Sequence, residues 1–458
     1  MDLYGRLLHD VLFPGFEALR NRPTVALQRY LDHTQWASSD ELHAIQSGLL
    51  RRLIRHAWHH TRHYREVLER AGLGPDDLRG PEDLVRLPLL DKDTLRASRE
   101  TRRADAPPYA VIDKVSSGST GEPTTVSYNA ESRHWRDATR WRGYGWAGYR
   151  IGQRALHYWG FGVTPPKSRW KRAKVELDHR LKRDLYIDCT PRSDEHLAHV
   201  VDEIRRYRPE VIVTYSQAGA TLARYVTRTG ARTWGTIPVI CGAERVFDHD
   251  REALTEAFGP AVFETYGSRE VMLMAAECEA HDGMHLAMET QILEVVVREP
   301  DGSSRPAAPG EAGEVVVTDL HNLASPLIRY LNGDRAVQRA PSRCACGRWL
   351  SRLGPIEGRV TETLRDGAGN PVSGLIFNIL FVYITETAKQ FQVVQRADDT
   401  VVLRIVPDGE IRPDARAQML AYLGRYLPGV PVEIEAVDDI PLGPAGKRRL
   451  VVVEPRAT

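Results

Sequence analysis

From Val111 onward, short β-branched runs alternate with longer stretches of helical character, and this alternation narrows the possible folds more than any other feature. Val211-Ile212-Val213, Ile237-Pro238-Val239-Ile240 and Ala261-Val262-Phe263 are too short for helices, and the segments between them are long enough to carry one. Such an order implies an α/β layered sheet. The first hundred residues read differently: Leu49, Leu50, Leu53, Ile54 and Ala57 recur at helical spacing and predict a largely helical cap. Ile292 to Val297 and Gly313 to Thr318 predict a strand-rich third lobe. Between Glu357 and Thr361 the pattern changes to a small α+β domain. Phe391 to Gln395, Val401 to Val406 and Val432 to Ala436 read as its strands, and Asp414 to Leu423 as its helix. At 458 residues the chain exceeds one ordinary core, and residues 1–358 and 359–458 are the expected domains.

Ser116-Ser117-Gly118-Ser119-Thr120-Gly121-Glu122-Pro123 joins two expected strands, Val111 to Val115 and Thr124 to Tyr128. Glycines let backbone N–H groups approach an anion, and hydroxyls add donors that follow a phosphate as its geometry changes. The stretch reads as a phosphate-handling turn or as a flexible surface turn. It lacks the Gly-Lys-Ser/Thr ending of a Walker loop and is not a Gly-x-Gly-x-x-Gly fingerprint.

A net charge of +1 gives no electrostatic reason for a nucleic-acid or membrane partner, and no apolar run approaches the roughly 20 residues that span a bilayer. Met1 to Arg6 carry no signal-peptide core, and five cysteines make no disulfide framework; a cytoplasmic protein is expected, its oligomeric state open between monomer and homodimer.

Downstream come Tyr266-Gly267-Ser268-Arg269-Glu270, then Ser325-Pro326-Leu327-Ile328-Arg329-Tyr330 leading to Gly333-Asp334, then Gly358-Arg359, then Pro441-Leu442-Gly443-Pro444-Ala445-Gly446-Lys447. In this order they resemble the adenylate-forming superfamily of acyl-CoA synthetases. Ile54-Arg55-His56-Ala57-Trp58, His63-Tyr64-Arg65 and Leu87-Pro88-Leu89-Leu90-Asp91-Lys92 are similar to the phenylacetate-CoA ligase branch. Lys389 to Gln395 resemble its capsule-biosynthesis-associated relatives.

The resemblance implies an ATP- and Mg²⁺-dependent ligase that adenylates a carboxylic acid and passes the acyl group to CoA. Ser116, Ser117, Gly118, Ser119, Thr120 and Gly121 would wrap the β- and γ-phosphates, and Glu270 would hold Mg²⁺. Gly242, Ala243 and Glu244 stand where relatives line the adenine pocket, followed by the Tyr266, Gly267 and Ser268 motif. Asp334 would accept the ribose hydroxyls, Arg359 would contact the nucleotide, and Lys447 would bridge the acid and the α-phosphate. The small domain would be mobile, turning at or near Thr361 to withdraw Lys447 after the first half-reaction.

Two departures stand out. Arg269 occupies the place where relatives have a threonine beside the α-phosphate, and a guanidinium there either holds the phosphate or alters the chemistry. Asp366 to Phe377 lack the Arg-Gly-x-Asn signature of phenylacetate-CoA ligase, which leaves an amine, hydroxyl or carrier-protein acceptor open beside CoA. A catalytically silent protein that binds a nucleotide or partner is the reading from another class.

Cys278, His281, His285 and the Cys344-Ala345-Cys346 pair supply donors suited to tetrahedral Zn²⁺, as in some relatives. Cys278, His285, Cys344 and Cys346 are the expected ligands of a structural ion, with His281 as the substitute for His285. Cys189 and Cys241 read as core thiols. His157 to Gly162 and Trp146 supply aromatic surface for a flat acyl group or for core packing, so an aromatic acid is the expected substrate. The basic run Lys167 to Arg183 reads as a surface helix, as a guide for an anionic substrate such as CoA or, least in keeping with the near-neutral net charge, as a nucleic-acid surface.

Overall fold

The computed structural model describes residues 1–105, 110–116, 124–160, 168–189, 194–299, 303–359, 363–369, 371–373, 388–407, 411–440 and 451–454. The chain divides into two compact units. One comprises Met1–Lys114, Ser127–Asn332 and Val337–Pro355; the other comprises Val115–Val126, Gly333–Ala336 and Ile356–Thr458.

β1 (Val111–Ser116) and β2 (Thr124–Asn129) form a separate two-stranded sheet. The next strands are β3 (Ala155–Trp159), β4 (Asp184–Asp188), β5 (Val211–Tyr215), β6 (Val239–Gly242) and β7 (Val262–Ser268). They lie in the order 4-3-5-6-7, all parallel, with helices in the crossovers. Beyond β7 the same sheet continues through β8 (Met272–Glu277) and β9 (Met284–Leu286), both paired antiparallel. It also takes in β10 (Gln291–Arg298), β11 (Ser304–Pro306), β12 (Ala312–Asp319), β13 (Tyr330–Gln338) and β14 (Arg352–Arg359), twelve strands in all. The stretches expected as a third lobe are thus β10 and β12 of one continuous sheet. The join is possible because β7 pairs parallel with β6 on one edge and antiparallel with β8 on the other.

Between β3 and β7 the apolar residues are buried on both sheet faces, as a parallel sheet covered by helices requires. Cys189 and Cys241 belong to that core. The helix Ser39–His60 starts from a Ser38/Glu41 capping box and lays Leu50, Leu53, Ile54 and Ala57 against Ile292, Leu320, Leu323 and Ile328. Each leucine or isoleucine among them contributes about 1.5–3 kcal/mol on burial. The basic run forms the helix Arg169–Lys182, with Trp170, Leu177 and Leu181 exposed.

In the smaller unit β17 (Ala388–Gln395) and β18 (Val401–Pro407) pair antiparallel, flanked by β19 (Val432–Ala436) and β20 (Val451–Val453). The helix Pro413–Tyr426 covers this sheet through Ala415, Met419 and Leu423. A short ladder, β15 (Thr363–Arg365) with β16 (Pro371–Ser373), completes its described elements. Among the described residues no helix is long and apolar enough to cross a membrane.

Inside the larger unit an ion pair is sealed from water. Arg142 Nη1 donates to Glu289 Oε1 at 2.6 Å, with side-chain exposures of 1% and 0%, and the Thr34 hydroxyl donates to the same oxygen. Removing one partner strands a buried charge. Glu289→Leu is expected to destabilise the protein by about 3–5 kcal/mol in chemical denaturation. A loss below about 1 kcal/mol would show that Arg142 is solvated after all.

Candidate functional site

The strand order 4-3-5-6-7 sends the chain one way after β3 and the other way after β5, so the sheet has a switch point between them. Ligands of open α/β sheets bind outside the carboxyl ends of strands at such a point. Here those ends are Trp159-Gly160 and Tyr215-Ser216. The Trp159 and Tyr215 rings meet edge to face with centroids 4.4 Å apart. A Cβ on Gly160 would lie 3.1 Å from the Tyr215 ring, and one on Gly242 would lie 2.9 Å from Thr265 Oγ1 and 3.3 Å from the Trp159 ring. Neighbouring side chains, the Tyr215 ring at Gly160 and the Thr265 hydroxyl and Trp159 ring at Gly242, occupy the space that β-carbons would need.

Gly242, Ala243 and Glu244 leave the end of β6. Ala243 has φ +67, a left-handed conformation that an alanine adopts at a cost of roughly 1–2 kcal/mol. One hydroxyl pins both sides of it: Ser216 Oγ donates to Glu244 O at 2.7 Å and to Gly242 O at 3.3 Å. The Glu244 carboxylate accepts from Gln217 N at 3.0 Å at the start of the helix Ser216–Thr229, where a helix favours negative charge. Strained backbone held this firmly is typical of binding sites. Behind it Glu264 accepts from Val246 N at 3.1 Å, and burial pushes its carboxyl up to about 7.

Tyr266 to Glu270 lead out of β7 into the turn to β8, with a register shift between Tyr266 and Gly267. The Tyr266 hydroxyl accepts from Asn332 Nδ2 at 2.6 Å. Ser268 is half-buried, Arg269 is exposed and Glu270 is half-buried. Arg136 anchors this turn from the helix Ala130–Trp146. Its Nη1 donates to Glu270 O at 2.8 Å, its Nη2 to Asp319 Oδ2 at 2.7 Å, and its guanidinium lies 4.2 Å from the Tyr128 ring centroid.

Other expected residues stand apart from this description. Asp334 follows Gly333 (φ +91) in β13 and belongs with the smaller unit. Ser116 ends β1 and Arg359 ends β14. Ser117, Gly118, Ser119, Thr120, Gly121, Thr361 and Lys447 lie outside the described residues. Of the aromatic run only Trp159 and Gly160 are seen at the switch point. Tyr158 is core, His157 stacks on Tyr186 at 4.4 Å, and Phe161 and Gly162 lie outside the described residues.

A second constellation forms where β8 and β9 meet the segment before β14. The donor atoms of Cys278, His285, Cys344 and Cys346 all lie within 4.8 Å of one another. Cys278 Sγ is 3.8 Å from Cys344 Sγ, and Cys346 Sγ is 3.3 Å from His285 Nε2. Four donors about 2.0–2.3 Å from a tetrahedral centre have such spacings. His285 Nδ1 donates to Leu350 O at 3.1 Å, which leaves Nε2 as the lone-pair nitrogen facing the thiols. Burial pushes the Cys278 thiol up to about 12 and holds His285 neutral, down to about 4. A tight turn presents the Cys344–Cys346 pair: Gly347 (φ +93) donates to Cys344 O, and Cys344 N donates to Arg348 O. His281 lies elsewhere, its Nδ1 3.4 Å from Glu277 Oε2. Trp146 packs here, 5.4 Å from the His285 ring, rather than at the switch point.

Sequence reading missed Ser216, Gln217, Glu264 and Arg136. Ser216 offered a faint signal as a hydroxyl directly after the strand Val211–Tyr215; Arg136 is one arginine among several on its helix and offered none.

Residues 365–454 match the family model of the CapK C-terminal domain. A phenylacetate-coenzyme A ligase of Thermus thermophilus is 29% identical over 369 residues, covering 79% of this chain and 80% of that protein. Protein CapK of Staphylococcus aureus is 20% identical over 93% of each chain. Among solved structures, a 2-hydroxyisobutyryl-CoA ligase in the postadenylation state superposes with a TM-score of 0.61 at 20% identity, over 91% of this chain and 90% of that one.

Gly267 tests the turn. A Cβ there would lie 2.4 Å from Met272 O, so the backbone must move to admit one. Gly267→Ala is expected to destabilise the protein by about 1–3 kcal/mol in thermal unfolding. An unchanged melting temperature would mean that the turn is looser than described.

Proposed function

We propose that this chain, a relative of the phenylacetate-CoA ligases and CapK with the fold of the adenylate-forming ligases, activates a carboxylic acid with ATP and passes the acyl group to CoA. The observation that carries the reading is the pinned Gly242–Glu244 turn beside the Tyr266–Glu270 turn at the carboxyl ends of β6 and β7. These are the positions at which the sequence motifs resemble the nucleotide-binding ones. In the first step a carboxylate oxygen attacks the α-phosphorus, the bond to the bridging oxygen breaks, and pyrophosphate leaves. In the second the CoA sulfur attacks the acyl carbon, AMP leaves, and the thiol proton passes to solvent.

Gly242, Ala243 and Glu244 would border the adenine, Asp334 the ribose, Arg359 the nucleotide and residues 116–121 the phosphates. Lys447 would bridge acid and α-phosphate from a small domain that moves between the half-reactions. Arg269 would add a fixed cation, and Glu270 would hold Mg²⁺, which neutralises phosphate charge when bound. Trp159 and Tyr215, packed edge to face, supply aromatic surface suited to an aromatic acid. The missing Arg-Gly-x-Asn signature in residues 366–377 and the CapK-type C-terminal domain favour one further reading, an amine, hydroxyl or carrier-protein acceptor. Cys278, His285, Cys344 and Cys346 would hold a structural Zn²⁺, supported by three thiols and an imidazole whose other nitrogen is already committed. Five free cysteines fit a reducing cytoplasm.

Pyrophosphate release with Mg²⁺-ATP across aryl and short aliphatic acids, with and without CoA, is the deciding assay. Acid-dependent release with a thioester detected by mass is expected, and Lys447→Ala should lower it about 10²-fold or more while the fold persists. Release without thioester would move the acceptor to an amine, hydroxyl or carrier protein; no release with any acid would overturn the activity.

Metal analysis of the purified protein is expected to find one zinc per chain. Chelation or Cys344→Ser should lower the melting temperature by several degrees. Protein free of zinc and indifferent to chelator would exclude the metal.

A further inference from the structure

Lys114 is a half-buried cation with Arg136, Arg133 and Arg269 among the charged groups that act on it. It stands in β1, two residues before Ser116, and its ammonium lies 3.2 Å from Met272 Sδ, just beyond the Tyr266–Glu270 turn. It also lies 5.4 Å from the centroid of the Tyr128 ring, on which Arg136 rests. Among the described residues no carboxylate comes within ion-pairing distance of it. The adjacent acid, Asp113, is engaged elsewhere: it accepts from Ser127 Oγ at 2.5 Å and lies 3.7 Å from Arg99. Alternation along a strand sends neighbouring side chains to opposite faces, which separates the two.

Of the charged groups that act on Lys114, Arg136 and Arg133 of the helix Ala130–Trp146 and Arg269 of the turn are like charges and Asp137 is opposite, with Asp319 holding Arg136 in an ion pair at 2.7 Å. Asp137 is already shared between Arg133 at 3.9 Å and Arg140 at 3.3 Å. Burial first, then Arg136, lowers the ammonium to about 8. Partial desolvation and like charges both oppose a cation here, and an anion would relieve both.

We propose that Lys114 is a phosphate-binding residue that, with Arg269, holds the polyphosphate of ATP at the Tyr266–Glu270 turn. This rests on the reading that the larger unit takes ATP. It assigns a partner to the substitution at position 269: the turn carries a guanidinium because its anion is gripped by two side-chain cations. Lysine suits the task as a compact charge on a flexible stem.

The test compares wild type, Lys114→Met and Lys114→Arg by equilibrium binding of Mg²⁺-ATP and of inorganic tripolyphosphate, and by the ATP KM of acid-dependent pyrophosphate release. Loss of one charge-assisted contact should weaken ATP and tripolyphosphate binding about ten- to a hundredfold in Lys114→Met, with the melting temperature nearly unchanged. Lys114→Arg should restore most of it. Wild-type affinity should also fall as pH rises through 8, whereas Lys114→Arg should show no such fall because arginine stays charged. Wild type that binds ATP with Lys114→Met within twofold of it would overturn the proposal alone. Wild type that binds neither ATP nor tripolyphosphate would overturn the ATP reading as well. A Lys114→Met protein that loses stability and affinity together, without rescue by arginine or a pH response in wild type, would make Lys114 a packing residue.

Discussion

Everything in the larger unit depends on β7 serving two kinds of neighbour. On one edge it pairs parallel with β6, and on the other antiparallel with β8. A parallel neighbour needs a helical crossover, whereas an antiparallel one needs only a turn. The chain therefore reverses directly at the carboxyl end of the parallel half, and Gly267 makes that reversal possible where any β-carbon would meet Met272 O. The same reversal keeps Arg269 and Glu270 at the rim where the β6 turn also ends. Chemistry at this edge is a product of topology as much as of residue choice.

The charge cluster behind the rim follows from the same arrangement. Arg136 holds the carbonyl of Glu270 and the carboxylate of Asp319, and so fixes the turn from the helix beneath it. With Asp319 neutralising Arg136, the remaining positive charge at the turn belongs to Lys114 and Arg269. A buried ion pair and a neighbouring excess of charge thus differ in kind: the first fixes the turn, and the second is what the proposed anion would neutralise.

Much of this was legible in the chain. The β-branched runs located β5, β6 and β7, and helical spacing located the stripe of the helix Ser39–His60. The Cys/His donors follow from residue type and the resemblance, with His281 as the substitute for His285, and the fold brings Cys278, His285, Cys344 and Cys346 together from two segments. What could not be read were contacts carried by common residues. Ser216 is one serine among many until it is seen to span Gly242 and Glu244. Trp146, marked as a possible substrate contact, instead packs beside His285, because helix direction rather than side-chain type decides what an aromatic ring meets. Merging of the expected third lobe with the main sheet depended on the pairing of β7 with β8, and such long-range pairing leaves no local trace.

Ser325 to Tyr330 bear on how the protein is made. Tyr64 donates its hydroxyl to Pro326 O and accepts from Ile328 N, Arg102 donates to Ser325 Oγ, and Arg329 is buried against Leu87 O and Glu294. The partner of Tyr64 lies 262 residues further along the chain. At roughly 5–20 residues per second of synthesis, the amino-terminal helices wait about 10–50 s for the segment that locks them down. During that interval the stripe of Leu50, Leu53, Ile54 and Ala57 lacks the surface it will cover. The nascent protein thus carries an apolar amino-terminal stripe without its final cover for as long as those 262 residues take to make.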